Sequence, residues 1–271
     1  MKYLKSYLLG LAVFLGFSVS VIFVPGCSDS TSPETGQGQI KISMIDSPAE
    51  YDQVNIVVTR TEVHKAGVDS TSGWFIINDD TATYDLLTLK NGASVVLGDT
   101  SLDAGHYTQI RLIIGTGSNI VVDGVTYPLD VPSGGQTGIK LNHSFDIAEG
   151  QLYELLLDFD AERSIILTGS GQYKLQPVIR LVPLLISGTI SGIISPATVK
   201  TIVWTFDGTD TISTVSDTTS GFFNLMALLT GSYDIYFWPA PYANYRDTSI
   251  TNVLIIAQQN TDLDTIILNV K

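Results

Sequence analysis

From Ile40 onward the chain alternates apolar and polar residues with a period of two, the pattern of strands that bury one face. Ile40, Ile42 and Met44 share one side and Lys41 and Ser43 take the other, which predicts a half-buried strand. Asp46-Ser47-Pro48-Ala49 stops it, because proline cannot donate to a ladder and the aspartate can bond nearby backbone. Further strands are predicted over 54–63, 74–77, 106–115, 153–159 and 173–181. Residues 85–89 form a short apolar segment that ends in the Asn91-Gly92 turn. The clearest hairpin is 120–127, where Asp123-Gly124 supplies the positive φ values of a type I′ turn.

A boundary falls near 183–187. Beyond it, 202–206 and 211–215 flank Asp207-Gly208 as a second hairpin, and strands follow at 233–237, 250–256 and 263–270. Turn signals about 8–12 residues apart suit antiparallel sandwiches. No segment after the leader shows helical periodicity. The fold class expected is therefore all-β, as two antiparallel β-sandwich modules in series.

The beginning reads differently. Lys2 and Lys5 precede an uncharged apolar stretch from Tyr7 to Val24, and then come Pro25-Gly26-Cys27 and a polar tail. A charged start, an apolar middle and a small-residue cleavage site describe an export signal. The apolar run, about 18 residues, is also near the length of a membrane span, so an uncleaved anchor is the competing reading. Residues 28–39 are rich in Ser, Thr, Gly, Pro and Glu and read as a flexible tether. The division expected is leader 1–26, tether 27–38, first module 39–183 and second module 187–271.

Composition narrows the role. The chain has 271 residues and a formal net charge of -13. Losing Lys2 and Lys5 with the leader makes it more negative still. An acidic exterior repels phosphate backbones, so nucleic-acid binding is not expected. Cys27 is the only cysteine, so the folded part has none for disulfides or thiolate metal sites.

Few residues carry candidate chemistry. Asp158, Asp160 and Glu162 alternate with Phe159 and Ala161, which predicts three acids on one strand face. Clustered oxygens suit Ca²⁺, with Asp46 or Asp85 as further candidates; a solvated strand end is the alternative. Neighbours on such a face stand about 7 Å apart, which is compatible with glycoside hydrolysis but otherwise unsupported. His64, His106 and His143 have no zinc-like spacing, and no Gly-x-Ser-x-Gly elbow or phosphate loop is present. Arg111 and Arg180 lie within alternating strands, each expected to pair with a neighbouring acid. Residues 236–245 place five aromatics among prolines. A proline-stiffened loop of large rings can form a contact platform for a sugar face or a protein, or its rings can fill the module's own core. Trp238, Tyr242 and Tyr245 are the candidate contacts, with Trp238 the ring expected outside.

The leader resembles the signal and lipobox of bacterial lipoproteins, which implies cleavage before Cys27 and its lipidation. Ser28 in place of aspartate then implies the outer membrane in a cell that has one. Residues 38 to about 183 resemble the lipoprotein family called domain of unknown function 4382. The resemblance rests on Ile42-Ser43-Met44-Ile45-Asp46-Ser47-Pro48-Ala49, Tyr84-Asp85-Leu86-Leu87-Thr88-Leu89-Lys90-Asn91-Gly92, Leu102-Asp103-Ala104-Gly105-His106-Tyr107 and Tyr173-Lys174-Leu175-Gln176-Pro177. The tail is similar to carboxypeptidase regulatory-like, prealbumin-type sandwiches in Gly188-Thr189-Ile190-Ser191-Gly192 and Thr219-Ser220-Gly221-Phe222-Phe223. These resemblances imply an anchored, non-catalytic envelope protein for interaction, adhesion or scaffolding. Its partners would be the membrane, through the lipid, and carbohydrate or envelope proteins. A carbohydrate-binding surface protein and a Ca²⁺-stabilised structural protein are the alternatives.

Overall fold

Twenty strands account for most of the described residues. A computed structural model describes residues 36–271, apart from 70, 71, 133, 134 and 136. The leader, Cys27 and most of the predicted tether lie outside the described residues. In the first half run β1 (Gln37–Ser47), β2 (Gln53–Lys65), β3 (Trp74–Asn78), β4 (Ala82–Asp85), β5 (Val95–Asp103), β6 (Gly105–Ile114) and β7 (Asn119–Val122). β8 (Val125–Asp130), β9 (Ile139–Ile147), β10 (Leu152–Asp160), the one-turn helix α1 (Ala161–Ser164), β11 (Ile165–Leu167), β12 (Tyr173–Leu175) and β13 (Ile179–Pro183) complete it. The second half holds β14 (Ser187–Ser195), β15 (Thr201–Phe206), β16 (Thr211–Val215), β17 (Phe222–Leu229), β18 (Gly231–Pro239), β19 (Thr248–Ile255) and β20 (Asn260–Ile267).

Two sandwiches result. In the first, a four-stranded sheet of order β13-β10-β1-β5 faces a nine-stranded sheet built around β2. Between them lie Ile40, Ile42, Met44, Ile56, Tyr107, Phe145, Leu155, Leu157 and Phe159. In the second, β17-β14-β20 faces β16-β15-β18-β19 over Ile190, Phe223, Leu228, Ile235, Phe237 and Ile255. Pairing is mostly antiparallel, as expected, but β1–β10, β8–β12 and β14–β20 are parallel. Each parallel pair joins strands far apart in sequence, as parallel pairing requires. The Asp123-Gly124 turn has both residues at positive φ, 50° and 74°, and closes β7 onto β8.

The last two residues of the predicted tether, Gln37 and Gly38, belong to a strand. β1 begins at Gln37, and Gln37 and Gly38 pair with Asp103 and Leu102. Gly38 looks like linker composition but is a packing requirement: a Cβ there would overlap the Ala148 carbonyl.

β1 also departs from the half-buried expectation. It alternates over 37–42, and then every residue from Ser43 to Ser47 is buried. The reason is tertiary. The outer face of the four-stranded sheet is covered by the second sandwich, where Ile45, Leu156 and Val182 meet Ala227, with Leu184 and Met226 beside them. The two sandwiches belong to one compact unit.

A polar clasp reinforces the junction. Asn91 sits in the left-handed region at φ 57°. Its Oδ1 accepts the Asn224 amide at 2.6 Å, its Nδ2 donates to the Phe222 carbonyl at 3.1 Å, and its own amide donates to Thr214 Oγ1 at 3.1 Å. We expect Asn91→Ala to lower stability by about 2–3 kcal/mol, through two lost hydrogen bonds and a non-glycine residue left at positive φ. Urea denaturation checks this, and a loss below about 0.5 kcal/mol would show that the Asn91 clasp does not hold the junction.

Candidate functional site

β15 and β18 pair so that Trp204 lies opposite Tyr236 and Ile202 opposite Trp238. These side chains face outward. The inward residues of β15 are Thr201, Val203 and Thr205, all fully buried. The two buried hydroxyls donate to the Val199 carbonyl at 3.0 Å and the Asp234 carbonyl at 2.8 Å. Small and polar residues thus fill the core side while rings occupy the water side, the reverse of what burial alone would select. Trp204 stacks on Tyr236 at 4.4 Å between centroids and meets Trp238 edge-on at 4.8 Å. Trp204 Nε1 is covered and has no hydrogen-bond partner. Trp238 is 49% exposed. The expectation for this ring is met, although Tyr236 to Pro239 belong to strand β18 and not to a loop.

The segment after β18 turns at once. Pro241 starts a single 3-10 turn over Pro241–Ala243, and Asn244 ends it at φ 55°. Ala240 N–H donates to the Lys200 carbonyl at 2.8 Å, and Arg246 N–H donates to the Asn269 carbonyl at 2.8 Å, so both ends are pinned. The turn carries Tyr242 outward, 82% exposed. Tyr245 goes the other way: it packs against the second core, and its backbone bridges Val270. The three candidate contacts therefore divide, with Trp238 and Tyr242 together and Tyr245 apart.

Between the two rings lies a cleft of about 520 Å³, lined also by Ile202, Pro239, Lys200, Asp247 and Glu50. Glu50 comes from the first sandwich, in the turn after β1. Its N–H donates to Glu162 Oε2 at 3.1 Å, and its Oε1 lies 3.3 Å from Lys200 Nζ. Both side chains of that pair are well exposed, so the pair contributes little to stability and leaves the charged heads free for other partners. Volume, ring walls and a few polar groups are what a small-ligand site requires. Glu50, Lys200 and Trp204 escaped sequence reasoning. The one available signal was the run of Ile202, Trp204 and Phe206 on one face of a strand whose other face is small.

The three acids do not form the predicted face. β10 ends at Asp160, so Glu162 sits on α1, off the strand. Asp160 accepts the Arg163 amide at 2.9 Å, which caps α1, and so ends the period-two run. Asp158 binds Arg180 Nη2 at 2.7 Å. Asp85 accepts the amides of Val54 and Leu87. Among the described residues no three His, Cys, Asp or Glu side chains gather to hold a metal ion.

Burial dominates the electrostatics at the junction. Asp46 is 4% exposed; its Oδ1 accepts the Ala161 amide at 3.0 Å and its Oδ2 has no partner. Burial pushes its carboxyl up to about 8, aided by the charges of Asp158 and Asp160 and opposed by the Ala161 bond and Lys90. Burial also raises Asp158 and Asp160, against the pull of Arg180 on the first and of the Arg163 amide and guanidinium on the second. Elsewhere, Arg111 pairs with buried Glu62 and lies 4.0 Å over the Trp74 ring. His143 bonds the Tyr153 hydroxyl at 2.8 Å, and burial lowers its pKa. His64 and His106 stand at strand ends, the latter 2.8 Å from Asp146. Both arginines are paired as the alternation predicts.

Comparison with known proteins adds family membership and little else. No curated protein matches the sequence. Among solved structures, a type II cohesin–X-dockerin complex from Acetivibrio cellulolyticus is similar at 23% identity over 31% of this chain and 58% of that one, with a TM-score of 0.24. The Bacillus anthracis TIE protein matches at 11% identity over 87% of this chain and 34% of that one, with a TM-score of 0.24. The minor pilin GBS52 of Streptococcus agalactiae matches at 12% identity over 88% and 97%, with a TM-score of 0.23. This chain thus spans less than two thirds of the first two, and TM-scores this low bear on neither fold nor role. Residues 37–177, just over half of the chain, match the family model described as domain of unknown function DUF4382, and the chain belongs to that family.

Proposed function

We propose that this chain is a lipid-anchored protein of the cell envelope, held on the outer membrane, whose folded part is a non-catalytic interaction module for adhesion or scaffolding. The observation that carries the reading is the inverted strand β15, with Thr201, Val203 and Thr205 inside and Ile202, Trp204 and Phe206 outside, beside the Trp238–Tyr242 cleft. Rings kept on the water side at the expense of the core indicate a contact surface. Residues 187–271 act here as a carboxypeptidase regulatory-like module that presents this surface.

The architecture supports an anchored arrangement. β1 carries the chain about 33 Å, by strand rise, from Gln37 to the junction, where Glu50 enters the cleft. No helix among the described residues is long and apolar enough to cross a membrane. Lipidation at Cys27 would supply the acyl chains that stable anchoring needs.

Two measurements test the two parts. Cys27→Ser should move the protein from the membrane fraction to the soluble fraction and abolish acyl labelling; an unchanged distribution rejects the anchor. Trp238→Ala should abolish retention of the purified protein on isolated envelope material, and undiminished retention rejects the contact surface.

A further inference from the structure

We infer that the cleft between Trp238 and Tyr242 binds a neutral glycan, with Glu50 of the first sandwich completing the site. The inference rests on the reading of the cleft as the contact surface and names what fills it.

Charge and size decide the ligand class. Two carboxylates, Glu50 and Asp247, and one ammonium, Lys200, stand on the rim of a cleft whose walls are rings and prolines. A polyanion would meet both carboxylates on a chain of net charge -13. A cation would meet Lys200. A purely apolar ligand would strip water from three charged groups and offer them nothing in return. A neutral sugar ring avoids each penalty. Its C–H face packs on an aromatic ring, and its edge of hydroxyls both donates to carboxylates and accepts from an ammonium.

Size argues against a protein partner at this cleft. The few residues that line it fall well short of the roughly 20–30 per side of a standard protein interface. A volume of about 520 Å³ lies instead in the range of small-ligand sites. The walls are also set in advance. Trp238 lies in a paired strand, held edge-on by Trp204, and Tyr242 rides a turn begun by proline and pinned on both sides. Ordering costs on binding are therefore small. Glu50 reaches the rim from the first sandwich because its backbone is tied to Glu162, so the site depends on both modules.

The test uses the full-length protein in detergent and calorimetric titration with neutral hexasaccharides of β-1,4-glucose, β-1,4-xylose, β-1,4-mannose, α-1,4-glucose and N-acetylglucosamine, plus an acidic galacturonate hexamer. At least one neutral hexamer should bind, with a Kd of about 10 µM to 1 mM. Tyr242→Ala should weaken it about tenfold or more, and so should Trp238→Ala. Glu50→Gln should weaken it about two- to fivefold, and Tyr245→Phe should not change it. Tyr242 is 82% exposed on a surface turn, so its loss cannot be mistaken for unfolding. If no neutral hexamer binds, or if binding survives both ring substitutions, the glycan inference is overturned. Retention on envelope material separates the two readings. Should Trp238→Ala still abolish retention when no hexamer binds, the contact surface stands with a protein as its partner. Should retention persist as well, both fall.

Discussion

Replacing Asp46 by asparagine should stabilise the protein at neutral pH, although it removes an acid from a buried site. Asp46 lies in the sandwich junction with one oxygen bonded to the Ala161 amide and the other without a partner. Its folded-state pKa of about 8 stands far above the ordinary carboxyl value of 3.8. The folded protein therefore holds a proton that the unfolded chain releases, so stability from this group is complete below about pH 4 and is lost progressively up to about pH 8. At about 1.36 kcal/mol per unit, the loss by pH 7 approaches an upper limit of about 4 kcal/mol. Asparagine has the shape of the neutral acid and keeps an oxygen for Ala161, but carries no proton to lose. Asp46→Asn should match the wild type near pH 4 and exceed it by about 2–4 kcal/mol at pH 7. Denaturant midpoints at pH 4, 7 and 8.5 measure this. An asparagine variant less stable at pH 7 would show that the carboxylate is ionised and partnered in the folded state.

The second large effect is expected at Arg180. One guanidinium nitrogen binds Asp158 at 2.7 Å, and another donates to the Ala227 carbonyl at 2.8 Å and lies 3.8 Å from Asp207. It thus ties β13 of the first sandwich to the second. Arg180→Ala strands a buried carboxylate and a carbonyl together, and removing one partner of a buried pair costs about 3–5 kcal/mol. Asp158 can recover part of this by taking up a proton, and its pKa is already raised by burial. The deficit should therefore shrink as pH falls. Two unfolding transitions, one for each sandwich, should replace a single one. Asp158→Asn combined with Arg180→Met should restore most of the loss, since both charges are gone. If Arg180→Ala unfolds in one transition with a deficit under about 1 kcal/mol, the junction is held without Arg180, by the apolar contact of Ile45, Leu156, Val182 and Ala227 together with the Asn91 clasp.

Both effects arise at a place the sequence does not announce. Alternation located β1, β2, β6, β10 and the strands of 233–270, because a strand with one wet face must repeat every two residues, but it passed over β5, β9 and β17 and ran β12 and β13 together as one strand over 173–181. It located the Asp123-Gly124 hairpin because only a few residue pairs tolerate two positive φ values. It failed over 43–47, where a second module covers the face that should be wet. It failed again at 158–162, where the Asp160 cap bends the chain into α1. At 236–245 it saw the rings and put Trp238 outside, but missed the directions of the others. Tyr236 and Trp238 share one face of β18 while Phe237 enters the core, and Tyr245 turns inward to meet Val270.

What residue order determines unaided is local. It sets where many of the strands run, where turns break them, the acidic balance, and the apolar run that precedes Cys27, since each depends on neighbours within a few positions. Which face of a sheet meets water is a different kind of property. It is settled when sheets pack, and only the tertiary structure placed Thr201 and Thr205 inside and Trp204 outside. The same packing brought Glu50 beside a ring 188 positions away at Trp238, and closed Asp46 off from the solvent that would keep its charge. Coulomb and burial energies follow distance in space, and distance in space is what the linear order of residues does not contain.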